Sequence, residues 1–508
     1  MGGREPGDED CCPPDAPPFP QPLLDALAAD PLTPVFEHGD RVLVRGELLE
    51  LIGRCTAGLR RAGVRGGHGV ALATAVTPEG FAARIAVQAL GCRAVGVDPG
   101  VPAVQLAEVL RDVDAVLTDA PSPELVAAAG PAQVLSLDAE FLREHERPAA
   151  LGRPEDPAAV VFTSGGTGHP RGAVFDFRAL TAHWSWQPTA WGAQAHELAA
   201  GYRRFLLFGT LSSAQLLEHL ALCLLSGGTA VIPTWPLEFP QVLTRLRITG
   251  CVLSVPRLHR VLDALRESAH DLSALRMLLV AGSPLSPQRL AEAHERIGPA
   301  VHHCYGQTET GMLALLSAAD VAGWPRAAGS VGRPLDGVRL DIRDAAGNPV
   351  RAGAEGEVWA RVPHALSGYW RDAAETAEVL RDGWVRTRDL GRFDELGFLH
   401  LTGRTREVVI VHGTLHHAGP IERALAAHPG VEQACVAGAP NEASGEAIHA
   451  FVVPAAGCSP EADELRELVA AELGAGAVPA TITAVPEIPL SAAGKPDKRA
   501  LLARLATG

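Results

Sequence analysis

Apolar positions along the first third of the chain alternate between two periods. Leu48, Leu51, Ile52, Cys55, Leu59 and Ala62 recur at helical spacing and fall on one face. Short apolar runs follow, split by longer helical patterns: strands at 70–73, 94–97 and 115–117, helices at 81–90 and 104–110. Further strands are predicted at 134–137 and 158–162, then a helix at 214–225 and strands at 229–232, 251–254 and 277–280. Such alternation predicts βαβ units, a mostly parallel sheet and helices on both of its faces. After Gly329 the pattern changes to short strands at 337–343, 356–361 and 398–401 with Asp/Gly/Asn turns, which predicts an antiparallel, barrel-like subdomain. From about residue 406 a smaller α+β unit follows, with helices at 420–427 and 464–473 and strands at 433–437, 447–453 and 481–484. Residues 1–22 hold seven prolines among charged and small residues and predict a disordered tail. The divisions are then 1–22 for the tail, 23–405 for the large domain and 406–508 for a small C-terminal domain.

At 508 residues the chain exceeds what one hydrophobic core supports. A net charge of −15 argues against nucleic acid as a partner, whose footprint would be basic and clustered. The apolar run 220–225 is too short to span a bilayer, and nine cysteines without C-x-x-C pairs point to a reducing, cytoplasmic setting without a zinc site.

Four blocks carry chemistry. In the first, Thr163, Ser164, Gly165, Gly166, Thr167 and Gly168 lead to Arg171 after an apolar β-branched run. Glycines let backbone N–H groups close around an anion, hydroxyls donate to phosphate oxygens, and Arg171 adds a positive charge. The spacing fits neither a Walker A loop nor a dinucleotide fingerprint. The second is Tyr305-Gly306-Gln307-Thr308-Glu309-Thr310-Gly311, where a carboxylate beside a hydroxyl suits Mg²⁺ and an aromatic ring can stack on a base. The third runs from Trp384 through Asp389 to Arg404, with a carboxylate able to accept both hydroxyls of a ribose. The fourth, Ser491 to Pro496, places Lys495 in a loop of small residues.

In this order the blocks resemble the adenylate-forming superfamily: acyl-CoA synthetases, adenylation domains of nonribosomal peptide synthetases, and luciferases. Gly282-Ser283-Pro284, the segment from Gly356 to Trp370, and the stretch from Gly413 to Glu422 add to the likeness. The resemblance implies ATP, Mg²⁺ and, as co-substrate, CoA. It implies that 163–172 hold the β- and γ-phosphates, with Thr163 and Arg171 acting in catalysis. Gly282, Ser283, Pro284 and Tyr305 would flank adenine, with Gly306 and Thr308 beside them. Glu309 would bind the metal, Asp389 the ribose with Arg404 nearby, and Lys495 the carboxylate and α-phosphate. Arg406 would be the hinge of a rotating C-terminal domain.

The chain departs from the family pattern at Arg171, where a lysine is usual, and at Gly166, Arg406 and His416-His417. The segment around Phe208, Gly209 and Thr210 lacks the Asp that pairs an α-amine, which implies a small or medium carboxylic acid rather than an α-amino acid. Those three residues, His303 and Cys304 are candidates for the acyl pocket, with core packing as the other reading of Cys304 and a structural role that of His303. The implied activity is an AMP-forming carboxylic acid–CoA ligase. Transfer to a separate carrier protein, β-lactone formation and a degenerate nucleotide-binding homologue are the alternatives.

Overall fold

A computed structural model describes residues 16–98, 101, 103–164, 170–405, 407–412, 414–441, 443–490 and 496–505. Gly165, Gly166, Thr167, Gly168, Arg406 and Lys495 lie outside the described residues, as do residues 1–15 of the expected tail. The tail does not extend to residue 22. Phe19 is buried, its ring meets Trp186 edge-on at 5.0 Å, and a helix starts at Gln21–Ala29. One aromatic contact in a closed niche outweighs the local proline content. Phe19→Ala is expected to cost about 3 kcal/mol or more, read as a lower denaturant midpoint at unchanged slope.

Two sheets build the large domain. One has seven strands in the order Gly368–Tyr369, Pro170–Asp176, Pro157–Ser164, Arg93–Gly96, Gly69–Ala73, Ala115–Thr118, Gln133–Ser136. From Pro157–Ser164 to Gln133–Ser136 its neighbours pair in parallel. The other has nine, with Val301–Gln307, Met277–Ala281, Gly250–Ser254, Arg204–Leu206, Thr229–Ile232 and Pro34–His38 parallel in its middle and antiparallel strands at both ends.

Period-2 alternation sorts the side chains. Met277, Leu279 and Ala281 enter the core between the sheets, which also takes residues of helices Arg45–Arg61, Pro78–Ala89 and Ala214–Leu225. Leu278 and Val280 face a second core under helices Val255–Glu267 and Pro287–Arg296. The sequence pattern missed strands Pro34–His38 and Arg41–Val44, because each is short and buries only one or two residues.

The expected antiparallel subdomain is a five-stranded sheet of Arg339–Arg343, Gly356–Arg361, Trp384–Phe393 and Leu380–Arg381, with Leu399–Arg404 paired to Trp384–Phe393. The C-terminal unit has its own five-stranded sheet, including Val431–Asn441 and Gly445–Pro454, covered by helices Ala418–Ala426 and Ala462–Leu473. It touches the large domain through Arg289–Glu432 at 3.2 Å and through Arg423 Nη1 donating to the Thr402 carbonyl at 2.8 Å.

Candidate active site

The glycine-rich segment joins two antiparallel arms, Pro157–Ser164 and Pro170–Asp176, with Thr163 opposite Arg171. The Arg171 guanidinium reaches Glu375 Oε1 at 2.7 Å, and the same oxygen takes Arg388 Nη1. Glu375 is buried, in the first turn of helix Ala373–Val379. Two guanidiniums share this carboxylate, and Arg388 also reaches Glu378 at 3.1 Å, so two cations and two carboxylates form one network beside the arm that carries Arg171. Arg388 holds φ at +62°, a left-handed conformation that costs a non-glycine residue about 1 kcal/mol or more. Its ion pairs to Glu375 and Glu378 hold it there.

Arg388 is followed by Asp389, a buried carboxylate at 3% exposure. Tyr305 O–H donates to Asp389 Oδ2 at 2.6 Å, and Arg404 Nε donates to Oδ1 at 2.7 Å. Burial first, and the Asp389 charge second, push the Tyr305 phenol well above its ordinary range, so it stays a donor. The Asp389 charge also holds Arg404 firmly protonated. Each carboxylate oxygen retains a lone pair, so a vicinal diol can still be accepted.

The strand ends supply the next groups. Tyr305 and Gly306 lie near the carboxyl end of Val301–Gln307, and Gly282-Ser283-Pro284 leave the carboxyl end of its neighbour Met277–Ala281. Ligands of open α/β sheets bind outside such ends. Gly282 has φ +94°, which only glycine adopts freely, and a side chain at Gly306 would collide with the Gly311 carbonyl. Glu309 follows Thr308 in the turn to Gly311–Leu316 and accepts at Oε1 from Tyr369 O–H at 2.7 Å. Tyr369 belongs to the short strand paired with Pro170–Asp176, so it ties the loop's sheet to the nine-stranded one. A carboxylate with lone pairs to spare fits Mg²⁺, which takes one or two carboxylates plus phosphate oxygens. Among the described residues no group of three His, Cys, Asp or Glu side chains is placed to hold a metal ion.

The five acyl-pocket candidates do not share one face. Cys304 lies in the core between the sheets, its Sγ 3.7 Å from Gln215 Nε2, and burial pushes its thiol far up. Phe208 packs with the outer core, 5.6 Å from the Phe239 ring and under the Arg257 guanidinium. His303, next to Cys304 on the strand, points to the opposite face by the period of two and is buried. Thr210 Oγ1 is held by Asp98 at 3.0 Å, and Gly209 has φ +99°. A pocket beside Cys304 therefore includes neither Phe208 nor His303.

Sequence reasoning gave no role to Glu375, Arg388 or Tyr369, nor to Glu218, His183 and His364. Tyr369, Arg388 and His364 stood inside quoted segments; Glu375, Glu218 and His183 stood in none.

A protein-family model described as "AMP-binding enzyme" matches residues 25–370, and one described as "AMP-binding enzyme C-terminal domain" matches 420–495. The chain is 30% identical to a medium/long-chain-fatty-acid–CoA ligase of Mycobacterium tuberculosis, over 96% of this chain and 90% of that protein. It is 32% identical to an indoleacetate–CoA ligase of Aromatoleum aromaticum, over 78% and 76%. Among solved structures it is similar to the amide bond synthetase McbA from Marinactinospora thermotolerans, with TM-score 0.81, 33% identity and coverage of 95% and 99%.

Proposed function

The chain belongs to the AMP-binding enzyme family, and from that premise we propose the following reaction. A small or medium carboxylic acid, not an α-amino acid, attacks the α-phosphorus of ATP; pyrophosphate leaves, and an acyl adenylate remains. The CoA thiol then attacks the acyl carbon and AMP departs with the electron pair of the broken C–O bond.

The observation that supports this most directly is one connected cluster. Arg171 and Arg388 share Glu375, Arg388 adjoins Asp389, Asp389 holds Tyr305 and Arg404, and Tyr369 bridges from the loop's partner strand to Glu309. In this reading the segment from Thr163 to Gly168, with Ser164, Gly165, Gly166 and Thr167, grips the phosphates, and Arg171 adds a cation. Asp389 accepts the ribose hydroxyls, and Tyr305 with Gly282-Ser283-Pro284 encloses the base. Mg²⁺, held at Glu309 with the nucleotide, supplies charge neutralisation to the phosphates. Lys495 brings a cation to the reacting oxygens, where developing charge is stabilised most. Residues 406–508 act as a lid that turns about Arg406 to exchange Lys495 for the thiol. Among the described residues six free cysteines are buried, which suits a cytoplasmic setting.

The likeness to an amide bond synthetase favours a second acceptor, an amine in place of the thiol. Pyrophosphate release across a panel of carboxylic acids tests both, with CoA, a phosphopantetheine carrier or a simple amine added in turn. Acid-dependent release with a CoA thioester as product is expected. Release with an amide or a carrier-bound acyl group would replace the acceptor. Silence with every acid, together with measurable ATP binding, would reject the enzyme.

A further inference from the structure

A small cavity lies where the two sheets of the large domain meet, and a lone cation faces it. Its lining brings together Thr74 just past strand Gly69–Ala73, Gly96 at the end of Arg93–Gly96, Gly80 and Arg84 of helix Pro78–Ala89, and Ser212 from the segment after strand Arg204–Leu206. Helical side chains lean toward the amino terminus, which sets Arg84 over Gly80, one turn earlier. Without a Cβ the two glycines admit the hydroxyls. One added at Gly96 would sit 2.5 Å from Ser212 Oγ, and one at Gly80 would sit 2.9 Å from Thr74 Oγ1.

Arg84 is 6% exposed, and among the described residues no hydrogen bond, ion pair or ring contact reaches its guanidinium. Arg45, buried to the same degree, differs: it donates to the Ala26 and Leu224 carbonyls at 3.1 and 2.7 Å. The carboxylates beside the cavity are engaged elsewhere. Asp98, two residues after Gly96, accepts from Thr210 Oγ1 at 3.0 Å, and Asp119 accepts from the Ala75 N–H next to Thr74 at 2.7 Å. Burial alone acts on Arg84 and pushes it down to about 10, so it is charged at neutral pH. A buried charge with no counter-charge is costly, and a neutral acceptor does not cancel it.

Size and polarity narrow the guest. The cavity measures about 10 Å³, room for one water-sized particle and too little for a carboxylate, phosphate or sulfate. Arg84 offers only donors, and the Thr74 and Ser212 hydroxyls can turn theirs inward. The helix that carries Arg84 is 12 residues long and starts one turn away, so its positive end adds to the same potential. Glu79 in that first turn is held by Arg41 at 2.6 Å. Donors on every polar wall and one uncancelled positive charge ask for a monatomic anion.

We propose that Arg84, with the Thr74 and Ser212 hydroxyls, binds a single halide ion, chloride under ordinary conditions. The ion accepts from the guanidinium N–H groups and from both hydroxyls. It neutralises the buried arginine and ties the strand ends of the seven-stranded sheet to the segment that leads into helix Ala214–Leu225. The site is independent of the acid-activating reading, and either can fail without the other.

Thermal unfolding of the full chain tests this, with chloride titrated against gluconate at constant ionic strength. The midpoint is expected to rise by about 2 °C per tenfold increase in chloride once the site fills. Bromide is expected to act alike, while acetate and sulfate, too large for the cavity, match gluconate. Crystals grown in bromide are expected to show an anomalous-scattering peak in contact with the Arg84 guanidinium. Arg84→Met occupies similar space without the charge, so the halide dependence is expected to vanish and the midpoint in gluconate to equal or exceed that of the unaltered chain. If Arg84→Met does not fold, Ser212→Ala removes one donor and is expected to raise the chloride needed for a given shift by about tenfold. Equal midpoints in chloride and gluconate, or a chloride effect that survives Arg84→Met, would overturn the proposal. So would a midpoint lowered equally in every salt by Arg84→Met, which marks an arginine that only packs, or a cavity empty of bromide. A bromide peak without any shift in midpoint means an adventitious ion only and overturns it too.

Discussion

Replacing Lys495 by alanine is expected to slow adenylation by about 10²–10³-fold, or about 3–4 kcal/mol, while ATP affinity stays within a few fold. The reaction brings a carboxylate against a polyphosphate in a protein whose own net charge is −15. In the proposed reading Arg171 stands toward the outer phosphates, and the attacking carboxylate and the α-phosphate need a separate cation. An interaction strongest in the transition state lowers kcat and kcat/KM together and leaves ground-state binding nearly intact. Acid-dependent pyrophosphate release, measured beside an ATP titration, checks both halves. Unchanged turnover would remove Lys495 from the machinery.

Asp389→Asn is expected to act on binding instead, lowering kcat/KM for ATP by about 10²-fold, near 3 kcal/mol. The carboxylate is 3% exposed and receives both the Tyr305 phenol and the Arg404 guanidinium. Asparagine keeps the shape but offers one acceptor oxygen, and its amide N–H₂ faces a donor. Removing one member of a buried charged pair leaves the other unpaired, which costs more than the pair contributes. Arg404→Gln should be milder, because glutamine can still donate to Asp389 and the Tyr305 phenol stays in place. Steady-state kinetics at varied ATP separates the two variants, with thermal midpoints as the check on folding. Equal effects would mean that Asp389 acts only through its ion pair and not on the ribose.

Much of the proposed nucleotide cluster can be read from the chain because it uses short local signals. A turn that cradles phosphate needs glycines and hydroxyls in sequence, and a carboxylate at a strand end needs its neighbours within a few residues. Gly282, Gly306 and Asp389 stand where their motifs put them, and strands such as Thr229–Ile232 and Thr481–Ala484 match the apolar pattern to the residue. Pro34–His38 and the edge strand Arg41–Val44 were not legible, since segments this short, burying one or two residues each, take their conformation from the sheet they join.

The amino-acid sequence by itself determined the family and the fold class, because backbone periods and turn chemistry act over a few residues. Only the tertiary structure decided that Arg171 shares Glu375 with Arg388 across 204 and 13 positions, that Tyr369 meets Glu309 across 60, and that Phe208 and Cys304 lie on opposite sides of a sheet. It likewise brought Glu218, His183 and His364 around Gly311. Contacts between distant segments depend on how sheets stack and helices pack, and no local pattern of hydrophobic and polar residues carries that geometry.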